Sequence, residues 1–346
     1  MTDLADGPEA GSARPGATRR QRAVVAVGLV LGGLAVGFVV RTLVVEWPRV
    51  AEEIRSARVG WLVLAFALAA AGMASIGWAW GGVLRALGVR VPTRRVVPWY
   101  FVGELGKYLP GGVWPVLGRG ELARRGGVPR GRAYASVALS LGVLYLAAMF
   151  VAVAFLPFAL SGGGFSPWML CLLALPLGVA ALHHDVLGRV VAFVEARTGR
   201  HLDVEIPRWG TSLGLVLRYV PTWLCIGSAT WAVARSVTSD LSYPRVVFAA
   251  VLSWIVGFLA VPVPSGAGIR ETVLYAASGL DRGLSVFTAV AARLAFVVVD
   301  LGGAALAAPL VRRARAGAVV GPRPGHRPAA DVEAGAEGPG GAGHDG

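Results

Sequence analysis

Long apolar runs constrain the fold of this chain more than any other feature of its sequence. Several of them approach or exceed the roughly 20 residues that an α-helix needs to cross a bilayer. Only 15% of the residues are charged, whereas a soluble domain carries about 25%. The sequence therefore predicts an all-α integral membrane protein. We predict six full spans, at residues 23–45, 60–84, 134–158, 167–183, 211–234 and 284–310.

Two further apolar segments, 96–117 and 245–280, are interrupted by helix-breaking residues. The first contains Pro-Gly-Gly at 110–112, and the second contains VPVPSGAG at 261–268. Proline and glycine are the residues least compatible with a helix interior. We therefore expect neither segment to cross the membrane as an ordinary span.

The distribution of arginine predicts the orientation of these segments. Basic residues concentrate in cytoplasmic loops of membrane proteins, and arginines lie on both sides of the first broken segment, at 85–95 and 119–132. That segment then enters and leaves from the cytoplasm as a re-entrant hairpin. The arginines at 312–315 are cytoplasmic only if 245–280 is a second hairpin, which enters from outside. With the loops assigned in this way, we expect a multi-pass plasma-membrane protein with both termini in the cytoplasm.

The predicted order of elements occurs twice along the chain. Residues 23–158 contain two spans, a hairpin and a third span, and residues 159–315 contain the same order. Because each half crosses the membrane three times, the second half begins on the opposite side and is inverted relative to the first. Short similarities recur at offsets of 150–154 residues, such as SIGWAW at 75–80 and CIGSATW at 225–231. We therefore predict an inverted repeat. We expect a disordered cytoplasmic head and a disordered tail outside it, both poor in apolar residues, at 1–22 and 316–346.

The net charge of +13 agrees with this membrane topology. Because the arginines lie mostly in short loops beside spans, topology and anionic headgroups account for them, and we expect membrane lipids and no nucleic acid as partners. Cys171 and Cys225 lie in apolar runs and indicate neither a disulfide nor a metal site. We interpret His183-His184-Asp185 as the solvated end of a span, since further ligands at metal-site spacing are missing. We expect no cofactor.

The two broken segments predict a substrate site. Irregular backbone at membrane depth is tolerated only where it is buried in protein or lines a wet cavity. Paired Gly/Pro-interrupted segments in two halves mark the binding sites of transporters, and the N-termini of half-helices suit a phosphate or carboxylate. The candidate substrate-binding residues are Glu104, Lys107, Gly111, Gly112, Arg119, Glu121, Arg218, Gly266, Gly268, Arg270, Glu271, Arg293 and Asp300.

Each of these charged residues also has a structural interpretation. Charges inside spans are functional by default, which favours a cavity around Arg218 and Arg293, whereas Asp300 has a sufficient purpose as the counter-ion of Arg293. Glu104 and Lys107 are neighbours at i, i+3 on a helix and form either an internal ion pair or part of the site. The Arg119/Glu121 and Arg270/Glu271 pairs follow the two breaks, and this recurrence indicates a structural or headgroup-binding role.

Two motifs resemble a known family. GELGKYLPGGVWPVLGRGELARRGG at 103–127 and VPVPSGAGIRETVL at 261–274 are similar to the paired hairpins of the lysylphosphatidylglycerol synthase transmembrane family, also called the flippase-like domain family. The second motif has a slightly shorter glycine spacing than the family pattern. The resemblance covers roughly residues 20–315 and implies a lipid-handling module. We expect a stand-alone member without the aminoacyl transferase domain of the synthases, so the synthase activity is not carried over.

Three functions are compatible with these features. The first is a non-enzymatic, flippase-like transporter of an anionic or headgroup-modified lipid, either a phospholipid or a polyprenyl-phosphate lipid. A GxxxxGK[ST] motif is missing from the sequence, which argues against ATP hydrolysis by this chain. The second is an integral-membrane glycosyltransferase, for which Glu52-Glu53 is the one obvious outer acidic pair. The third is a non-catalytic membrane partner that docks a cytosolic lipid-modifying enzyme.

Overall fold

The computed structural model describes residues 57–108, 113–163, 166–199, 202, 204–259 and 268–318. Throughout these ranges the regular structure is helical, with ten α-helices and two 3₁₀ segments. The 3₁₀ segments are Leu105–Tyr108 and Pro167–Ala174. The α-helices are α1 (Val59–Ala86), α2 (Thr93–Glu104), α3 (Trp114–Arg125), α4 (Arg130–Gly163), α5 (Leu175–Ala181), α6 (His184–Thr198), α7 (Trp209–Val237), α8 (Tyr243–Leu259), α9 (Ile269–Ser278) and α10 (Arg282–Ala318).

Three of the described helices are long and apolar enough to cross a membrane. They are α1, most of α4 and most of α10, and they cover the predicted spans 60–84, 134–158 and 284–310. The predicted span 211–234 lies in α7, which is 29 residues long but is not among these three. Its polar residues, such as Thr222, Ser228 and Thr230, lower its hydropathy. The predicted span 23–45 lies outside the described residues.

The predicted span 167–183 is not one straight helix. It starts as the 3₁₀ segment, continues as the short α5, and is followed by α6 at a bend of 82°. The bent pair counts as a fourth candidate span. Eight 3₁₀ residues and seven α-helical residues extend about 26 Å, slightly less than the ~30 Å hydrocarbon core. Pro167 and Pro176, which each remove a backbone donor, lie in the first turns of the two pieces.

Both broken segments are helix–break–helix hairpins in which the chain reverses direction. In the first, Gly126 contacts Trp99, Gly103 contacts Arg119 and Gly106 contacts Trp114. Residues farther along α2 therefore contact residues nearer the start of α3, so α2 and α3 are antiparallel. The contacts of Gly257 with Arg270 and of Gly279 with Arg245 establish the same arrangement for α8 and α9. The breaks themselves, at 109–112 and 260–267, lie outside the described residues.

The helices pack around α1 and α7, which contact each other along their length. Glycines allow this close approach: a Cβ at Gly72 would lie 3.2 Å from Cys225 Cβ, and one at Gly82 would lie 2.8 Å from Arg218 Cδ. The second helix of each half crosses to the other half, since α2 packs on α10 and α8 packs on α4. The core between them is aromatic and fully buried at Trp80, Tyr100, Tyr219, Trp223 and Phe248.

The ends of the chain are only partly described. The head at 1–22, the acidic pair Glu52-Glu53 and the tail from residue 319 lie outside the described residues. α10 continues to Ala318. The described helices therefore include those on both sides of each break and the elements that position the candidate site.

Candidate functional site

A cluster of charged side chains joins the tip of the first hairpin to the middle of α10. Lys107 Nζ lies 2.5 Å from Asp300 Oδ2 and 3.6 Å from Glu104 Oε1. Arg119 Nε lies 3.8 Å from Glu104 Oε2, and the Tyr108 hydroxyl donates a hydrogen bond of 2.8 Å to Asp300 Oδ2. We call these five residues the polar cluster. Two carboxylates, two cations and a phenol thus lie within one contiguous network.

Two members of the polar cluster are buried, whereas Glu104 and Lys107 are half-buried and Tyr108 is 39% exposed. Asp300 is fully inaccessible and Arg119 is 2% exposed. Among the described residues, Asp300 Oδ1 and Glu104 Oε2 are buried without a hydrogen-bond partner. A buried polar atom without a partner costs about 1–3 kcal/mol or more. Charged residues inside spans mark functional sites by default, and these free oxygens are the atoms with capacity for a ligand.

The local sequence explains how the cluster forms. α2 ends at Glu104 and the chain tightens into the 3₁₀ turn Leu105–Tyr108, in which residues three apart lie above one another. Lys107 is thereby placed next to Glu104. Gly103 admits the arginine, because a Cβ there would lie 2.6 Å from Arg119 Cγ. The Arg119 guanidinium then lies 5.7 Å from the centre of the Tyr100 ring.

A small cavity of about 60 Å³ adjoins the cluster. Its polar wall is formed by Glu104, Lys107 and Arg119, and its other walls are mostly aromatic or aliphatic, with Tyr100, Met73, Ile76, Leu141, Leu144, Tyr145, Trp223, Ile226 and Trp254. This volume holds a few water molecules and not a lipid headgroup.

The second hairpin places an arginine behind the aromatic wall of the same cavity. Arg270 lies over the Trp254 ring at 4.1 Å, and Trp254 lines the cavity. Gly257 admits this arginine, because a Cβ there would lie 2.6 Å from Arg270 Cγ. Within the described part of the chain, Arg270 Nε is buried and has no hydrogen-bond partner. A hydrogen-bond donor is thus left unused behind the aromatic wall.

Glu271 connects the start of α9 to α10. Its Oε2 accepts a 2.7 Å hydrogen bond from the N–H of Gly268, and its Oε1 accepts one of 3.3 Å from Arg293 Nη1. Gly268 has a φ of +84°, a conformation that glycine adopts without strain. Glu271 therefore holds the end of the break and pairs with Arg293. Of the two interpretations of Asp300, the one as counter-ion of Arg293 does not hold, since Asp300 pairs with Lys107.

The remaining candidates lie elsewhere. Glu121 faces outward and pairs with Arg124 and Arg125 at 2.7 and 2.6 Å, and these hydrogen bonds lower the pKa of its carboxyl to about 2. Its position differs from that of Glu271, although both follow an arginine after a break. Arg218 stacks on Trp78 of α1 at 3.3 Å. Its role as a lipid contact stays a prediction. Gly111, Gly112 and Gly266 lie outside the described residues.

Sequence reasoning missed the tyrosines of the site. Tyr108 binds Asp300 directly, while Tyr100 and Tyr145 line the cavity. Tyr108 could have been selected, because it directly follows Lys107 in the hairpin motif. Tyr145 lies in the middle of an apolar helix, and its sequence neighbourhood contains no comparable signal.

The comparison with protein families agrees with this geometry. The family model described as the lysylphosphatidylglycerol synthase TM region matches residues 25–308. The chain belongs to this family. The match includes both hairpins and every residue of the polar cluster, so the charged network is built within the lysylphosphatidylglycerol synthase TM region itself. A search of curated proteins finds no match. Family membership and the apolar helices together indicate a membrane protein.

Proposed function

We propose that this member of the lysylphosphatidylglycerol synthase TM region family is a flippase-like transporter. It moves an anionic or headgroup-modified lipid, a phospholipid or a polyprenyl-phosphate lipid, between leaflets of the plasma membrane. The observation that carries the proposal is the polar cluster beside the break of the first hairpin, in which two buried carboxylate oxygens, Asp300 Oδ1 and Glu104 Oε2, lack a hydrogen-bond partner among the described residues. A purely structural ion network would be expected to satisfy its own buried acceptors.

An inverted repeat of six spans is part of this proposal. The helices α1 to α4 have 28, 12, 12 and 34 residues, and α7 to α10 have 29, 17, 10 and 37. Each half is thus a long helix, a two-helix hairpin and a second long helix. The exchanged packing of α2 on α10 and of α8 on α4 supports a pseudo-two-fold relation between the halves.

Equivalent contacts within the two halves support the same relation. A Cβ at Gly77 would meet Val97 at 2.9 Å, and one at Gly227 would meet Val247 at 2.7 Å. Both residues of the second pair follow those of the first by 150 positions. The two hairpin arginines are also packed alike: each lies under a glycine of the preceding helix and over an aromatic ring three residues before that glycine.

The proposed binding mode assigns the lipid phosphate to basic residues, of which Lys107 and Arg119 line the cavity and Arg270 lies behind its Trp254 wall in the described conformation. Arg119, Arg270 and Arg293, together with Lys107 and Arg218, contact the lipid phosphate, since guanidinium groups bind phosphate oxygens with strong, directional hydrogen bonds. Ammonium or hydroxyl groups of a modified headgroup donate to the unused oxygens of the polar cluster. The glycines of the breaks, at 111, 112, 266 and 268, allow the backbone to approach the headgroup.

Transport proceeds by alternating exposure of this site. The cavity is too small for a headgroup in the described conformation, so it corresponds to a closed state. Rocking of one hairpin against the other half opens the site to one leaflet at a time, as expected for transporters built from inverted halves. Both termini stay on the cytoplasmic side.

Leaflet exchange of labelled lipids in proteoliposomes tests the proposal. The panel contains phosphatidylglycerol, its aminoacylated form and a polyprenyl-phosphate lipid, with Arg270→Gln as the site variant. Arg125→Gln is the matched control, because Arg125 is exposed and far along α3 from the break. Selective exchange that is lost in Arg270→Gln and kept in Arg125→Gln supports transport. Exchange no faster than in protein-free vesicles, with folded protein, would refute it.

A further inference from the structure

A second and larger cavity lies away from the polar cluster, where α6 faces the start of α7. Its volume is about 990 Å³. It is an open cavity lined by His183, His184, Asp185, Gly188, Arg189, Ala192, Ile206, Arg208 and Trp209. The residues come from the end of the bent segment, from α6 and from the loop that leads into α7. Neither hairpin contributes to it.

The rim of this cavity is basic. Arg189 and Arg208 are exposed, and in the described part of the chain neither arginine is paired with a carboxylate. The one acidic residue in the lining, Asp185, is already engaged by histidines: its oxygens lie 3.3 Å from His183 Nδ1 and 3.0 Å from His184 Nε2. Two guanidinium groups therefore remain available for an anion.

Part of the cavity lining is apolar, and α6 carries further exposed apolar side chains. Ala192, Ile206 and Trp209 are the apolar side chains of the lining. On α6, Val190 is 54% exposed and Phe193 is 69% exposed, and the helix is turned by 82° from the preceding pair. An amphipathic helix that turns away from a span lies along the membrane interface with its apolar side chains in the acyl boundary. The cavity thus combines exposed arginines with exposed apolar side chains.

We propose that this cavity binds the phosphate headgroup of an anionic phospholipid from the adjoining leaflet. Arg189 and Arg208 bind the phosphate oxygens, and the glycerol and upper acyl chain lie against Ile206 and Trp209. The arginine distribution places this loop in the cytoplasm, where the leaflet is rich in anionic lipid. The site is separate from the transport site and does not depend on transport.

A metal ion is the competing occupant. The ligand atoms of His183, His184 and Asp185 all lie within 4.8 Å of one another, and tetrahedral Zn²⁺ ligands are separated by about 3.3 Å. Arg189 and Arg208, which have no carboxylate partner among the described residues, line the same cavity, and their positive charge opposes a divalent cation. The charge of the lining therefore favours the phosphate.

Native mass spectrometry of the full-length, delipidated protein tests the proposal. The protein is titrated with phosphatidylglycerol or phosphatidylcholine of equal chain length, with inorganic phosphate and with Zn²⁺. The site variant is Arg189→Gln/Arg208→Gln. The matched control is Arg90→Gln/Arg197→Gln, which removes two exposed arginines that do not line the cavity. Melting temperatures of both variants are measured to establish that they are folded.

We expect tighter binding of phosphatidylglycerol than of phosphatidylcholine, weakened by roughly thirty-fold in the site variant and little changed in the control. The factor follows from about 1 kcal/mol, or about five-fold, for each arginine near an anionic lipid. Weak binding of inorganic phosphate at the same concentrations identifies the lipid as the source of the phosphate. Equal binding of both lipids would overturn the proposal, as would equal weakening in both variants. Stoichiometric Zn²⁺ binding that is lost in Asp185→Ala, without preference for phosphatidylglycerol, would overturn it in favour of a metal site.

Discussion

The Lys107–Asp300 ion pair offers a direct way to separate a structural role of the polar cluster from a role in lipid binding. Asp300 is fully buried and receives Lys107 at 2.5 Å and the Tyr108 hydroxyl at 2.8 Å. In Lys107→Met the Asp300 carboxylate keeps only the hydrogen bond from the Tyr108 hydroxyl. Removing one partner of a buried ion pair costs about 3–5 kcal/mol, because an uncompensated charge remains in a low-dielectric interior. We expect a loss of stability of about 3 kcal/mol.

The reciprocal change is expected to be milder. In Asp300→Asn the lysine, which is 26% exposed, still lies 3.6 Å from Glu104. Because the lysine keeps a counter-ion and some contact with solvent, we expect a loss of about 1–2 kcal/mol. The double variant Lys107→Met/Asp300→Asn buries no charge at this pair and should lie within about 1 kcal/mol of the wild-type protein. The coupling energy of the cycle is then roughly 3 kcal/mol.

Two assays are applied to the same four proteins. Reversible unfolding in mixed micelles gives the free energies, and lipid exchange in proteoliposomes gives the function. The exposed Arg124–Glu121 pair serves as a control with a much smaller expected coupling energy. Additive losses in the Lys107–Asp300 cycle would refute the electrostatic reasoning. A stable double variant that exchanges lipid at the wild-type rate would show that the pair only holds helices together.

Three further predictions concern single positions. Gly103→Ala places a Cβ 2.6 Å from Arg119 Cγ and should lower the free energy of unfolding by about 1–3 kcal/mol through overpacking. In Gly302→Ala the new Cβ meets no atom within 4 Å, so this variant should be neutral or stabilising. Equal effects of the two substitutions in thermal melts would contradict this reasoning. Glu271→Gln can still accept the hydrogen bond from the Gly268 N–H that caps α9, whereas Glu271→Ala cannot. Thermal melts should therefore give Glu271→Ala a stability about 0.5–2 kcal/mol lower than that of Glu271→Gln. Indistinguishable melts of the two variants would exclude the cap. Hydrogen bonds from two neighbouring arginines lower the pKa of Glu121 from 4.5 to about 2, so its contribution is present above pH 4.5 and is lost as the pH falls toward 2. Unfolding of the wild type and of Glu121→Gln should therefore converge in that pH range, and a constant difference would speak against the pairing.

Local sequence patterns predicted the helices α1, α4 and α10 and the interruption of two apolar segments. Length, hydropathy and helix breakers act over windows of about 20 residues, so a single segment contains the information. The contact of Glu104 with Lys107 is predictable for the same reason, since the two residues are one helical turn apart. The segment after residue 166 shows the limit of this reasoning. It is apolar like a span, yet it forms a 3₁₀ segment, a short helix and an 82° bend.

The partners of charged residues followed from packing between distant segments. Asp300 lies seven residues after Arg293 on α10, yet its counter-ion is Lys107, from the tip of the first hairpin. Arg293 instead pairs with Glu271. These choices depend on which helix faces which, because α10 packs against both α2 and α9.

The sequence by itself determined that this chain is helical and membrane-embedded, where its apolar runs are broken, and that charges gather near the breaks. It did so because hydropathy and helix breaking are properties of neighbouring residues. Only the tertiary structure decided that Arg119 enters the core and that Arg270 packs half-buried with its Nε inaccessible, whereas Glu121 pairs with arginines on its own helix. A glycine of the preceding helix makes room for each of the two hairpin arginines, and an aromatic ring receives it. That fit exists only when the helices of a hairpin are packed together, so no single segment specifies it.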